Sequence, residues 1–79
     1  MDLRELRKRV NLRIIDVAYQ LNVSEGSIRN WEKGRSPIRV RLEMVALLCQ
    51  LYDCSIEQLN QAMQESLAKA ATKPEAEDE

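Results

Sequence analysis

Between Val17 and Gly34 the sequence leaves room for little besides two short helices meeting at a tight corner. Val17, Ala18 and Leu21 recur at the spacing of one helical face. Asn22 follows, and Asn is one of the few residues other than glycine that accepts a left-handed backbone, which suits a helix end. Val23 is an apolar plug for the corner. Ser24 is a good N-cap, because its hydroxyl accepts a bond from an otherwise orphaned N–H of the next helix. Ile28 and Trp31, three apart, mark the inner face of that helix, so Trp31 is expected in the core. Gly34 suits the position just past a helix C-terminus, and Pro37 lies just beyond. The device recurs at Asp53-Cys54-Ser55, where Ser55 and Gln58 form the S-x-x-Q pattern of a capping box.

The remaining helices follow from apolar periodicity. Asp2 to Val10 is predicted as helix 1, capped by Asp2, with Leu3, Leu6 and Val10 inward and Asn11 closing it. Helix 2 runs from Arg13 to Leu21, with no good N-cap before Ile14. Helix 3 runs from about Glu25 to Lys33, and residues 34–41 form a loop over the core. Helix 4, Leu42 to Tyr52, carries two apolar stripes. Leu42, Val45, Leu48, Cys49 and Tyr52 form one, while Met44, Leu47 and Leu51 form the other. A helix so apolar around its circumference is buried on more than one side. The second stripe is covered either by a second copy of the chain or by helix 5 folding back. Helix 5 starts at Ile56 and continues in good helix formers to about Ala71, with Ile56, Leu59, Met63, Leu67 and Ala70 as its stripe. Leu67 and Ala70 lie beyond the small core, so this extension either supports self-association or frays.

A chain of 79 residues is one small domain with a tail. Its net charge of −1 conceals a segregation. Residues 1–41 hold ten Arg or Lys against five Asp or Glu, whereas residues 42–79 hold two against eight. The half with the corner is therefore basic, as a phosphate-binding surface requires. There is no His, which removes the usual general base and the Ser-His and Cys-His pairs. The acidic residues form no recognisable catalytic pair. An enzyme is not expected, and neither is a cofactor. Two cysteines, Cys49 and Cys54, fall short of a zinc site and are expected as buried thiols, so no metal is expected. No apolar run is long enough to span a membrane, and Met1-Asp2-Leu3-Arg4 does not open a signal peptide. A cytoplasmic protein is the expectation.

Two short helices joined so tightly form a helix-turn-helix unit, whose second helix can enter a DNA major groove. Leu12, Val17-Ala18, Leu21-Asn22-Val23-Ser24, Ile28 and Trp31-Glu32-Lys33-Gly34 resemble the helix-turn-helix family of phage repressors and Cro proteins, which includes bacterial regulators of the xenobiotic-response-element type. Leu3, Leu6, Arg7, Pro37 and Tyr52-Asp53-Cys54-Ser55 extend the resemblance to about residues 3–60. The I-x-x-W-E-x-G ending is fairly specific. The resemblance implies an all-α, five-helix, repressor-like helix-turn-helix domain. It also implies a small transcriptional regulator, bacterial or phage and nucleoid-associated, that binds double-stranded DNA as a homodimer. Residues 1–63 would be the DNA-binding domain, 64–72 a helical extension past the family's usual end that either supports self-association or frays, and 73–79 a disordered acidic tail.

Site residues follow from the residue chemistry together with the resemblance. On helix 3, Gly26, Arg29, Asn30 and Lys33 face away from Ile28 and Trp31, with Glu25 at the edge. Asn30 suits adenine, Arg29 guanine and Glu25 the cytosine amino group. Gly26 permits close approach to bases or simply sits in a frayed first turn. The resemblance makes Glu25, Gly26 and Asn30 base readers and Ser24 and Ser27 phosphate contacts. Arg13, Lys33, Arg35 and Arg39 complete the expected phosphate contacts. The family opens helix 2 with Leu-Thr-Gln, but this chain has Leu12-Arg13-Ile14, so Arg13 must supply any phosphate contact electrostatically. The resemblance pairs Arg7 with Glu32. Met44, Leu47, Leu51 and Leu67 are the candidate dimer interface. The rival readings are a protein-interaction module that keeps the fold, or an antitoxin with a protein partner.

Overall fold

The computed structural model of the chain describes residues 1–72; these form five helices and no strand. The acidic stretch 73–79 lies outside the described residues. The helices are α1 (Leu3–Arg9), α2 (Ile14–Leu21), α3 (Glu25–Glu32), α4 (Leu42–Tyr52) and α5 (Ile56–Thr72). The all-α, five-helix expectation with a long last helix holds.

Most of the described helix ends are closed by local chemistry, although Arg41 gives the start of α4 no side-chain cap. Asp2 accepts the Glu5 N–H at 2.9 Å, and the Glu5 carboxylate accepts the Asp2 N–H at 2.8 Å, a reciprocal cap on α1. Asn11, Asn22 and Asp53 adopt left-handed backbone after α1, α2 and α4, with φ of 60°, 57° and 52°. Gly34 does so after α3 at φ 73°. There the Gly34 N–H reaches the Trp31 carbonyl, and the Arg35 N–H reaches that of Asn30 at 2.9 Å. Only Gly34 needs its missing side chain twice over. A Cβ built there would lie 2.2 Å from the Ser66 carbonyl oxygen, because α5 passes directly across the turn.

α2 and α3 pack on one another, α4 backs α2, and α5 runs against α1, α3 and α4. The shared core is Leu3, Leu6, Val17, Ala18, Leu21, Ile28, Trp31, Leu48, Tyr52, Leu59 and Ala62. Trp31 is a core residue.

Two apolar stripes differ from the sequence expectation. Leu42 is 81 % exposed, although its spacing placed it on the inner stripe of α4. It is the first helical residue after Arg41, and the chain enters α4 from outside the core. Met44, Leu47 and Leu51 are only half-buried and pack against the chain's own core. Ile56 is likewise 55 % exposed at the start of α5. The inner face of α5 is Leu59, Ala62 and Ser66, with Met63 half-buried beside them. It shares Leu59 with the predicted stripe and beyond it is centred one residue before the predicted Met63 and Leu67.

The second half of α5 is held to the N-terminal helix. Ser66 is 2 % exposed, and its hydroxyl accepts the Leu3 N–H at 3.2 Å, meeting one of the unsatisfied donors at the start of α1. Lys69 pairs with Asp2 at 2.5 Å, and the N-terminal ammonium pairs with Glu65 at 2.8 Å. Leu67 and Ala70 are half-buried.

Candidate nucleic-acid interface

α2, the turn and α3 form one closely packed corner. Asn22 ends α2 with φ 57° and ψ 46°. The Val23 N–H bonds back to the Ala18 carbonyl at 3.0 Å, which folds Val23 into the angle between the helices. Ser24 then caps α3, its hydroxyl accepting the Ser27 N–H at 3.1 Å. Ile28 and Trp31 fasten α3 to the core from below. The opposite face, Gly26, Arg29, Asn30 and Lys33, is exposed. Glu25 is half-exposed at its edge, as is Ser27.

The far end of α3 is fixed by charge. The Arg7 Nε donates to Glu32 Oε2 at 2.5 Å, and Nη2 donates to Oε1 at 2.9 Å. The Arg7 Nη1 donates to the Leu12 carbonyl at 3.0 Å. Both side chains are more than nine-tenths buried. The Glu32 carboxylate holds the Arg7 guanidinium above its already high range, against the opposing effect of burial. The pair thus joins α1, the α1–α2 loop and the last turn of α3. Tyr52 lies in the same region, its phenol pushed up first by burial and then by the charge of Glu32.

The start of α2 uses a device different from the usual cap. Arg13 has no acceptor to offer the first turn. Asp16 reaches back instead, accepting the Arg13 N–H at 2.8 Å and pairing with its guanidinium at 3.0 Å. This pairing holds Asp16 below the usual carboxylate range and Arg13 above its own. Asp16 belongs to this surface and was missed in the sequence, although the Arg13-x-x-Asp16 spacing is legible. Ile14 turns inward and packs on the core, while Ile15 and Tyr19 stand on the outer flank of α2, Tyr19 being 82 % exposed.

The candidate base readers and phosphate contacts do not all stand alone. Glu25 and Arg29 pair across one helical turn at 3.2 Å. The Ser24 and Ser27 hydroxyls are 3.1 Å apart, so the two are joined in one cap. Arg35 and Arg39 are exposed on the loop after α3. Arg39 borders a shallow groove floored by Leu21, Val23, Val40, Met44 and Leu47, between α2 and α4. Loop residues Ile38 and Val40 anchor this segment on the core, and the Ile38 N–H points to the Met63 sulfur at 3.3 Å. No cluster of three metal-ligating side chains occurs among the described residues. Among them, no helix is long and apolar enough to cross a membrane.

A family described as a helix-turn-helix domain matches the chain over residues 2–62, that is, from the cap of α1 to the middle of α5. No curated protein matches the chain, and no solved structure does.

Proposed function

The chain belongs to the family of helix-turn-helix domains, and from that premise we propose that it is a small transcriptional regulator that binds double-stranded DNA sequence-specifically. The observation that carries this reading is the outer face of α3. It is polar, unoccupied by the chain's own core, and carried on a helix fixed at both ends by Ser24 and by the Arg7–Glu32 pair. A helix so held can present side chains to base edges without losing order on binding.

In this reading Glu25, Gly26, Arg29 and Asn30 read bases, with Asn30 donating to and accepting from adenine. Gly26 admits close approach, since only the Ser24 hydroxyl lies near its absent Cβ, at 3.7 Å. Arg29 must leave Glu25 to reach guanine, so the two residues act as a coupled reader. Arg13, Ser24, Ser27, Lys33, Arg35 and Arg39 contact phosphates and set the register. Arg13 does so at the expense of its bond to Asp16. A homodimer spanning half-sites about 34 Å apart completes the reading, because one eight-residue helix discriminates few base pairs. Met44, Leu47, Leu51 and Leu67 remain the candidate contacts between copies. A cytoplasmic, nucleoid-associated protein of repressor or Cro type, acting without a cofactor, goes with this function.

The test is selection of bound duplexes from a randomised pool at two salt concentrations, for the wild type and Asn30→Ala. Enrichment of an inverted repeat by the wild type, relaxed at one position per half-site by Asn30→Ala, is the expected outcome. Salt-dependent binding with no enriched sequence would reduce the reading to phosphate attraction. No binding at low salt would overturn it in favour of a protein-interaction module, for which the exposed Ile15 and Tyr19 are the first surface to test.

A further inference from the structure

The corner between α4 and α5 carries a chemistry that DNA binding does not use. Cys49 lies in the last turn of α4, and Cys54 is the plug of the corner. Asp53 between them is left-handed, with φ 52° and ψ 54°. That conformation brings the Cys54 N–H onto the Cys49 carbonyl at 3.0 Å. When a helix end closes in this way, the side chains at the two ends of the bond commonly touch. In most proteins the contact is between hydrocarbons; here both partners are thiols. Burial first, and then the neighbouring Cys49, push the Cys54 thiol up. Both thiols are free and half-buried. They line one shallow recess together with Gln50, Asp53, Ser55 and Gln58, open to a small reagent from solvent. The Arg9 Nη2 donates to the Tyr52 and Asp53 carbonyls at 2.7 and 2.8 Å, holding the backbone between the two cysteines.

We propose that Cys49 and Cys54 form a reversible dithiol–disulfide pair, oxidised within one chain by small-molecule disulfides of the glutathione class. A disulfide needs Cα atoms about 4.4–6.8 Å apart. The bond from the Cys54 N–H to the Cys49 carbonyl holds the two backbones at the close approach that such a ring requires. One thiol loses its proton to solvent, and the thiolate attacks a sulfur of the small disulfide. A mixed disulfide forms and one thiolate leaves. The second cysteine, deprotonated in turn, attacks the protein sulfur of that mixed disulfide and expels the other small thiolate. Both departing thiolates are reprotonated. The two cysteines are oxidised together, and one small disulfide is reduced to two thiols.

The pair is independent of whether the chain binds DNA. The full chain, fully reduced, is incubated with oxidised glutathione, quenched in acid, treated with a thiol alkylator and weighed intact. The expected product has lost both free thiols and about 2 Da, carries no glutathione, and returns to the dithiol with dithiothreitol. Its melting temperature rises by about 5 °C or more, because the cross-link restricts the unfolded chain. Cys54→Ser and Cys49→Ser each retain one glutathione on the remaining cysteine, since no second thiol can release it. A wild-type product that keeps glutathione on either cysteine would overturn the proposal. So would a disulfide between chains in dilute solution, or a folded chain that stays reduced while the same chain in urea is oxidised.

Discussion

At Asn22-Val23-Ser24 and again at Asp53-Cys54-Ser55 the chain turns by the same means. A left-handed residue ends one helix, a half-buried plug fills the angle, and a serine caps the next helix, at 3.1 Å in one case and 3.0 Å in the other. The helices that follow differ. α3 has eight residues and turns a polar face to solvent, held down by Ile28, Trp31 and a buried ion pair. α5 has seventeen residues and is fastened along its length to α1, α3 and α4. A corner is thus a local device, and what the second helix does is set by the elements that cover it. At the far end of α3 the buried Arg7–Glu32 pair adds charge to the apolar hold of Trp31. α5 buries Leu59, Ala62 and Ser66 against other helices, and its charged contacts, Lys69 with Asp2 and Glu65 with the N-terminal ammonium, are exposed ones added at the far end.

The largest break in this comparison is expected at that ion pair. Glu32→Ala leaves the Arg7 guanidinium buried without its partner and should cost about 3–5 kcal/mol in urea denaturation, a large share of the stability of so small a domain. An equivalent truncation at the surface of α5, Gln61→Ala, should stay within about 0.5 kcal/mol. Equal losses at the two sites would mean that α3 is held by its apolar face alone.

The two glycines sharpen the contrast. Gly34→Ala places a Cβ against the Ser66 carbonyl on a left-handed backbone and should destabilise by about 1–3 kcal/mol. Gly26→Ala meets only the Ser24 hydroxyl, at an ordinary contact distance of 3.7 Å, and should stabilise α3 by about 0.5–1 kcal/mol in the same assay. If Gly26 approaches bases as proposed, this more stable variant binds its selected duplex less tightly. A Gly26→Ala protein that gains both stability and affinity would remove Gly26 from the reading face.

Next come the paired caps. Ser24→Ala and Ser55→Ala should each cost about 1 kcal/mol, because each leaves one helical N–H without its acceptor. Only the first should also weaken DNA binding. Equal losses of affinity would show that the effect passes through stability.

The smallest expected effect concerns the fastening of α5. Burial pushes the Asp2 carboxyl up, but the bonds from Lys69 and the Glu5 N–H outweigh it and hold the group below the usual carboxylate range. Its contribution is therefore present in full above the ordinary value of about 3.9 and is lost as pH falls through the lower folded value. Stability measured by urea between pH 6 and pH 3 should fall, and Lys69→Met should flatten that fall by less than about 1 kcal/mol.

The sequence was most legible where chemistry is local. Asn22, Ser24, Asp53, Ser55 and Gln58 announce their backbone roles because the partner of each lies within a few residues, and the inner positions Ile28 and Trp31 follow from helical spacing. Asp16 was legible in the same way, three residues after Arg13, but a search for conventional N-caps passes over a carboxylate that reaches back to an arginine. Leu42 and Ile56 misled because periodicity gives the direction of a side chain around its helix and not whether another element lies opposite.

Composition, periodicity and caps by themselves determined that this chain makes five helices, where two of them meet, and which face of α3 is polar. Only the tertiary structure decided that α5 crosses the Gly34 turn, that Ser66 completes the start of α1, and that Cys49 and Cys54 share one recess. The physical reason is range. Backbone preferences and caps act over a few residues and are written in neighbouring letters. The approach of α5 to Gly34 and Leu3 instead depends on the summed packing of helices far apart in the chain, which no single stretch of sequence encodes.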